Sequence, residues 1–329
     1  MRSTKIFVTG ANGQLGRELR VLAADSLQDF EFFFFDRATL PIEDPDASHA
    51  FLAREKPQWL INCAAYTAVD KAESEKETAW LINGDAVGFL AGACRKNNTR
   101  LIHISTDYVF DGSSATPLKE TDPTSPINTY GASKLEGERQ ALQQYPDGTL
   151  IIRTSWVYSE FGNNFVKTMI RLMKERPAIN VVNDQIGSPT YAADLATVIM
   201  RIISNHTHKS PRGSSTTTPA FTAADPPPTF TPDPPPTFTP GLFHYSNEGQ
   251  TSWYEFALAI RDAIGSPCIV NPIPTAQYPT PAKRPRYSLL DKTRIRDTYQ
   301  LPIPEWHSSL ITCLRKLGTS RTKSIQNSP

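Results

Sequence analysis

The chain has 329 residues, 39% of them hydrophobic, and a formal net charge of +1. That length suits two domains or one large domain with an added lobe, and the near-neutral charge excludes the concentrated basic face of a nucleic-acid binder. No apolar run approaches the ~20 residues of a membrane helix, and Met1–Thr9 lacks the apolar stretch of a secretory signal. Cys63, Cys94, Cys268 and Cys313 stand without CxxC spacing. They read as reduced thiols of a cytoplasmic protein, with neither zinc nor disulfides implied.

Lys5–Thr9 is a short β-rich run, and GANGQLG leads from it into a helix over Gly16–Ala24, with Leu15, Leu19 and Leu22 at helical spacing. Phe30–Phe35 is a second strand, ending at Asp36. Ala47–Arg54 is helical, Trp59–Cys63 is a buried strand, and Glu73–Lys96 forms one or two long helices. Leu101–Ser105 is a strand, Thr129–Gln144 a helix, and Leu150–Trp156 closes the series. Strands alternating with helices at this spacing specify an α/β fold, a doubly wound parallel sheet of the Rossmann kind covered on both faces.

Beyond Trp156 the rhythm loosens. Asn164–Glu175 is a helix, Val181-Val182 a short strand, and Ala192–Ile203 a helix that can lie back on the sheet. From Asn205 to Pro240 the chain is rich in Ser, Thr and Pro, with DPPPTFTP in tandem at Asp225–Pro232 and Asp233–Pro240. Proline this dense lacks N–H donors, so the segment reads as a disordered or polyproline-like insertion without a catalytic role. A docking ligand for a proline-binding module is the lesser reading. Folding resumes at Leu242, with helices over Trp253–Ile264 and Ser308–Leu317. The expected division is a dinucleotide-binding domain over 1–156, completed by about 181–204 and 241–247, a smaller substrate-binding lobe over 157–180 and 248–329, and the 205–240 insertion.

Gly10, Gly13 and Gly16 form GxxGxxG between a strand and a helix. Glycines let backbone approach a pyrophosphate that the helix N-terminus then holds. Asn12, Gln14 and Leu15 fill the same loop. Asp36 ends the second strand, where an acid accepts from the adenosine ribose. Arg37 follows it and suits a 2′-phosphate. The pair leaves NADPH or NADH open, with a slight lean to NADP.

Tyr130 and Lys134 form YxxxK in a helix, so phenol and ammonium share one face. An ammonium beside a phenol lowers its pKa and makes it a serviceable acid–base group. Asn128 fits the N-cap of that helix. Thr106 stands at a strand's carboxyl end, where a hydroxyl can meet a substrate oxygen.

Several longer segments make a more specific match. They include NCAAYTAVDKAE at Asn62–Glu73, STDYVFDG at Ser105–Gly112, PINTYGASKLEGE at Pro126–Glu138, RTSWVY at Arg153–Tyr158, GNNFVKTMIRL at Gly162–Leu172, NDQIGSPTYAADLA at Asn183–Ala196 and TPAKRPRYSLLD at Thr280–Asp291. With these the chain resembles the extended short-chain dehydrogenases, and within them the dTDP-4-dehydrorhamnose reductases. The resemblance implies hydride transfer from NADPH or NADH to the C4 ketone of dTDP-4-dehydro-L-rhamnose, giving dTDP-L-rhamnose for cell-surface polysaccharide. Tyr130 would donate the proton, Lys134 tune it and Thr106 position the carbonyl.

By the same resemblance Ala64, Ala65 and Tyr66 line the cofactor cleft. Val69, Asp70, Asp107 and Trp156 approach the substrate, and Asn164 and Arg284 face the nucleotide. Asn83 fits either the cofactor site or a satisfied network inside its helix. Two departures stand out. Leu40-Pro41-Ile42 replaces an LDI-type segment. Glu18 matches the first of two glutamates that hold magnesium in some members, but Ala193 replaces the second, so no metal is expected. A homodimer stays open. The competing readings are a related nucleotide-sugar epimerase or dehydratase, and a non-catalytic regulatory subunit like that of methionine adenosyltransferase; RTSWVY and GNNF favour the reductase.

Overall fold

The structure is a computed structural model that describes residues 3–24, 29–207 and 238–319. Strands β1 (Thr4–Thr9), β2 (Phe30–Phe35), β3 (Trp59–Asn62), β4 (Arg100–Thr106), β5 (Thr149–Thr154) and β6 (Gly241–His244) form one sheet in the order β6-β5-β4-β3-β1-β2. Every pair is parallel. All residues of β3 and β5 are buried, as strands covered on both faces require. The α/β expectation thus holds, and the strand order reverses between β1 and β3.

Alternation along the strands divides the core. Ile6, Val8, Trp59, Ile61, Ile102 and Leu150 point to one face, under α1 (Gln14–Ala24) and a later helix over Ala192–Thr207. Phe7, Leu60, Leu101 and Ile151 point to the other, under α2 (Pro45–Glu55), α3 (Ala86–Asn97) and α4 (Thr129–Gln144). The phenylalanines of β2 follow the same rule at the sheet edge. Phe33 and Phe35 meet Phe7 edge-on at 5.4 and 4.9 Å, while Phe32 and Phe34 stack on the opposite face.

The helix over Ala192–Thr207, α6, belongs to the sheet core, and a second core unites α5 (Phe165–Glu175), α7 (Trp253–Ile264) and α8 (Trp306–Lys316) around Tyr158, Phe256, Trp306 and Leu310. The short strand expected at Val181-Val182 is longer, Ala178–Val182, and pairs in parallel with Ile269–Ile273. The 73–96 segment is not one smooth helix. Short helices at Val69–Ala72 and Lys76–Trp80 and a π-helical turn at Leu81–Asp85 precede α3. The π turn turns Asn83 inward, where its amide accepts from Tyr66 N–H at 2.9 Å and donates to Tyr66 C=O at 3.0 Å.

Residues 208–237, and with them most of the proline-rich expectation, lie outside the described residues. The insertion's last residues are docked rather than loose. Phe238 meets Trp59 edge-on at 5.3 Å, and the Tyr299 hydroxyl donates to Thr239 C=O at 2.8 Å. Among the described residues no helix is long and apolar enough to cross a membrane.

Candidate active site

A cleft of about 820 Å³ opens at the carboxyl ends of the strands, at the reversal between β1 and β3. Open α/β sheets bind ligands at such a switch point. Gly10 turns the chain out of β1 at φ +68°, and a Cβ there would stand 2.6 Å from Ala64 N. Only glycine lets the loop cross the end of β3 this closely. At Gly16 a Cβ would lie 2.5 Å from Gly10 O, so that glycine tightens the loop instead of facing the cleft.

Gly13, Gln14 and Leu15 line the cleft at the start of α1. The first turn of α1 carries no acid, leaving the positive end of the helix dipole open to an anion. Asn12 donates to Asp36 Oδ2 at 3.3 Å. Hydrogen bonds from Thr39, helped by Asn12, hold the Asp36 carboxyl below its ordinary pKa, so it faces the cleft ionised. Arg37 reaches the same rim, but its Nε donates to Glu43 at 2.7 Å. Ala64, Ala65, Tyr66 and Val69 form the wall beyond β3, and Leu40 and Ile42 supply an apolar flank.

The YxxxK helix is anchored at its start. Asn128 caps α4 by accepting from Gly131 N–H at 2.7 Å, and Glu73 accepts from Thr129 N–H at 2.8 Å and from its hydroxyl at 3.0 Å. A Cβ on Gly131 would overlap Tyr108 C=O, so the helix touches the 107–109 turn backbone to backbone. That contact brings Thr106 beside Tyr130. Burial pushes the Tyr130 phenol up to about 12, against the Thr106 hydroxyl that draws it down. Tyr130 therefore stays protonated across the neutral range.

Lys134 departs from expectation. It is not among the groups that shift Tyr130. Its Nζ instead turns to β4, donating to Ile104 C=O at 2.7 Å and lying 3.2 Å from His103 Nε2. Burial brings Lys134 down to about 8, with Glu138 and Cys63 acting the other way. Thr106 and Asp107 line the cleft beside these groups, and the Thr106 hydroxyl donates to Asp107 Oδ1 at 3.2 Å. Burial raises Asp107 to about 6, against hydrogen bonds from Ser288 and Thr106 that draw it down. Trp156 adopts a left-handed backbone at φ +49° and stacks on Trp253 at 3.7 Å, presenting its ring to the cleft. Strain of this kind concentrates at ligand sites.

Residues 4–217 and 232–319 match the family described as the RmlD substrate binding domain. The dTDP-4-dehydrorhamnose reductase of Aggregatibacter actinomycetemcomitans is 40% identical over 312 residues, covering 93% of this chain and 97% of that protein. The chain belongs to the dTDP-4-dehydrorhamnose reductase family. Two solved members of that name agree in fold. The Clostridium acetobutylicum protein gives a TM-score of 0.83 at 37% identity, over 95% of this chain and 99% of that one. The Bacillus anthracis protein, solved in complex with NADP, gives 0.82 at 36%, over 96% and 100%.

Three of the residues expected to meet ligand are engaged with other parts of the protein: Asn164, Asp70 and Arg284. Asn164 does not line the cleft. It caps α5, accepting from Lys167 N–H at 3.1 Å, and donates to Gln14 at 2.9 Å and Ser159 C=O at 2.7 Å, so its amide is spent joining the lobe to the glycine loop. Asp70 points away from the cleft into a bidentate pair with Arg284, at 3.0 and 2.8 Å. Arg284 borders a neighbouring concavity of about 530 Å³ with Lys283 and Arg286. Asn83 sits in a satisfied buried network that also reaches Ser133 of α4 at 3.1 Å.

Glu18 is buried, accepts from the Ser159 hydroxyl at 2.7 Å and is raised to about 7 by burial and by Glu160. Among the described residues no cluster of three His, Cys, Asp or Glu side chains could hold a metal ion. Three participants were missed in the sequence: His103, Glu43 and Trp253. Only the first had a local signal, a polar residue at an inward position of an apolar strand.

Proposed function

We propose that the chain reduces the C4 ketone of dTDP-4-dehydro-L-rhamnose to dTDP-L-rhamnose, using NADPH or NADH. The observation that carries this reading is a protonated Tyr130 phenol beside Thr106, in a cleft whose floor is the glycine loop. The residues present fit the dinucleotide. Gly10 and Gly13 let the loop turn tightly along the cleft, the acid-free start of α1 attracts a pyrophosphate, and Asp36 stands where a ribose hydroxyl would donate. The relative solved with NADP supports NADPH; the ionised Asp36 supports NADH as well.

A nicotinamide held in this cleft would supply hydride to the carbonyl carbon. Thr106 orients the carbonyl oxygen by hydrogen bond, and Tyr130 gives that oxygen its proton, so negative charge does not accumulate there. Lys134, buried beneath, holds the cationic charge of the site. Trp156, backed by Trp253, offers a flat surface for the sugar ring. Asp107 and Val69 line the part of the cleft that would hold the sugar, and Arg284 with its basic neighbours would lie toward the nucleotide. In this reading residues 1–156, with 181–204 and 241–247, hold the cofactor, and 157–180 with 248–329 hold the sugar nucleotide.

Incubating the protein with the keto-sugar and either cofactor tests this. Cofactor oxidation should match dTDP-L-rhamnose formed, mole for mole. An epimerised product without cofactor consumption would sink the reading.

A further inference from the structure

Trp156 stands in the left-handed region at φ +49°, a conformation that a bulky residue keeps only where its surroundings over-determine it. The backbone on either side is pinned. Ser155 Oγ donates to Ser188 C=O at 2.7 Å, Trp156 C=O accepts from Thr190 N–H at 3.3 Å, and Val157–Tyr158 pairs in parallel with Thr190–Tyr191. Those contacts fix where the side chain leaves the chain, and two others set the direction of its indole. Gly187 lies so close that a Cβ on it would stand 3.0 Å from both Cε2 and Cζ2 of that ring. Trp253 stacks on the same ring, with centroids 3.7 Å apart and planes 14° from parallel. Trp156 lines the cleft; Gly187 and Trp253 do not.

One short ladder delivers both neighbours. Thr251–Ser252 pairs antiparallel with Ile186–Gly187, Thr251 opposite Gly187. Ser252 then caps α7 reciprocally: its Oγ accepts from Glu255 N–H at 3.1 Å, and Glu255 Oε2 accepts from Ser252 N–H at 2.8 Å. Trp253 is the first residue of α7, so ladder and cap together place it, and Phe165 at the start of α5 packs on it at 4.5 Å. We propose that Trp253 and Gly187 are positioning residues for recognition of the sugar, acting through Trp156 without touching the ligand themselves. The inference rests on the reading of the cleft as a sugar-nucleotide site with Trp156 against the sugar ring. An indole held in one orientation before the ligand arrives loses no rotamer freedom on binding, whereas an unbacked indole must be ordered at that moment. The effect belongs to the sugar half of the ligand, so a nucleotide without the sugar is indifferent to it.

The test uses the full chain, with dTDP-L-rhamnose and dTDP as probes in calorimetric binding. Trp253→Leu keeps an apolar side chain but removes the ring. It should weaken dTDP-L-rhamnose about tenfold, or ~1.4 kcal/mol, within what a stacked aromatic pair contributes. The Kd for dTDP should stay within about twofold. Trp253→Phe, which returns a ring, should recover most of the loss. In turnover the same variant should raise KM for the keto-sugar and leave kcat alone, the pattern of a contact made equally in ground and transition states. Indole ¹H–¹⁵N spectra, with the Trp156 signal assigned by its loss in Trp156→Phe, should show that signal displaced in Trp253→Leu.

An unchanged Kd for dTDP-L-rhamnose, equal weakening of both probes, or a Trp156 signal that does not move would each overturn the proposal. If Trp253→Leu fails to fold, Gly187→Ala decides it: the added methyl crowds the indole, so the same sugar-specific loss is expected, and its absence counts against the proposal. A wild type that binds neither probe and reduces no keto-sugar would sink the functional reading, and with it the role in sugar recognition. A wild type that binds dTDP-L-rhamnose more tightly than dTDP, beside a Trp253→Leu variant that does the same, would sink the positioning role alone.

Discussion

Glu138→Gln is the sharpest test of how α4 is seated. The Glu138 carboxylate is 3% exposed and accepts from Ser105 Oγ, from Arg153 Nε at 2.9 Å and from Arg153 Nη2 at 2.6 Å. Glutamine offers one carbonyl oxygen and turns an NH₂ toward groups that donate. Arg153 is then left charged and buried. His244 cannot compensate, because it lies 3.4 Å from Arg153 and burial brings its imidazole down to about 3.

Breaking one partner of a buried pair costs about 3–5 kcal/mol. An unfolding entropy of about 2.1 cal/mol/K per residue over roughly 300 residues gives ~0.6 kcal/mol/K, so Tm should fall by about 5–8 °C. Thermal melts followed by circular dichroism measure this. Glu138→Gln/Arg153→Met removes both charges and should recover part of the loss, because apolar replacement of a whole buried pair is often tolerated. A Tm within about 2 °C of wild type for Glu138→Gln would refute the argument, since a shift that small corresponds to only ~1 kcal/mol on this scale.

Two further outcomes are expected. Glu18 has its pKa raised from 4.5 to about 7 in the folded state, so its contribution to stability is full below pH 4.5 and is lost as pH rises through about 7. Glu18→Gln should flatten the Tm-against-pH curve across that window; an unchanged slope would exclude Glu18 as its source. Glu43→Gln frees Arg37 and should lower KM for NADPH about fivefold, the worth of ~1 kcal/mol at an exposed site, while leaving NADH unchanged. Equal effects on both cofactors would remove Arg37 from the 2′-phosphate site.

Much of the fold was legible because its signals are local. Apolar runs at Lys5–Thr9, Trp59–Cys63 and Leu150–Trp156 mark buried strands, and α4 and α7 match their expected spans residue for residue. Asn128 was readable as a cap because capping is a contact over three residues. What escaped depends on distant partners. Pairing of Ala178–Val182 with Ile269–Ile273 joins strands about ninety residues apart, and nothing in either segment names the other. The π turn arises because Asn83 finds Tyr66 and Ser133, not from helix propensity.

The site divides in the same way. Gly10, Tyr130 and Thr106 were identified from residue type and spacing. Asn164, Asp70 and Lys134 were also named, but their orientations depend on Gln14, Arg284 and His103, which lie on other elements. Residue type says what chemistry a side chain can perform; only the fold says which way it faces.

The most direct test of the central claim is steady-state reduction of dTDP-4-dehydro-L-rhamnose by Tyr130→Phe beside wild type, with cofactor binding measured on the same samples. Loss of a general acid should lower kcat by about 10²–10⁴ while cofactor Kd stays within about twofold. A Tyr130→Phe protein that turns over at close to the wild-type rate would contradict the assignment of Tyr130 as the proton donor.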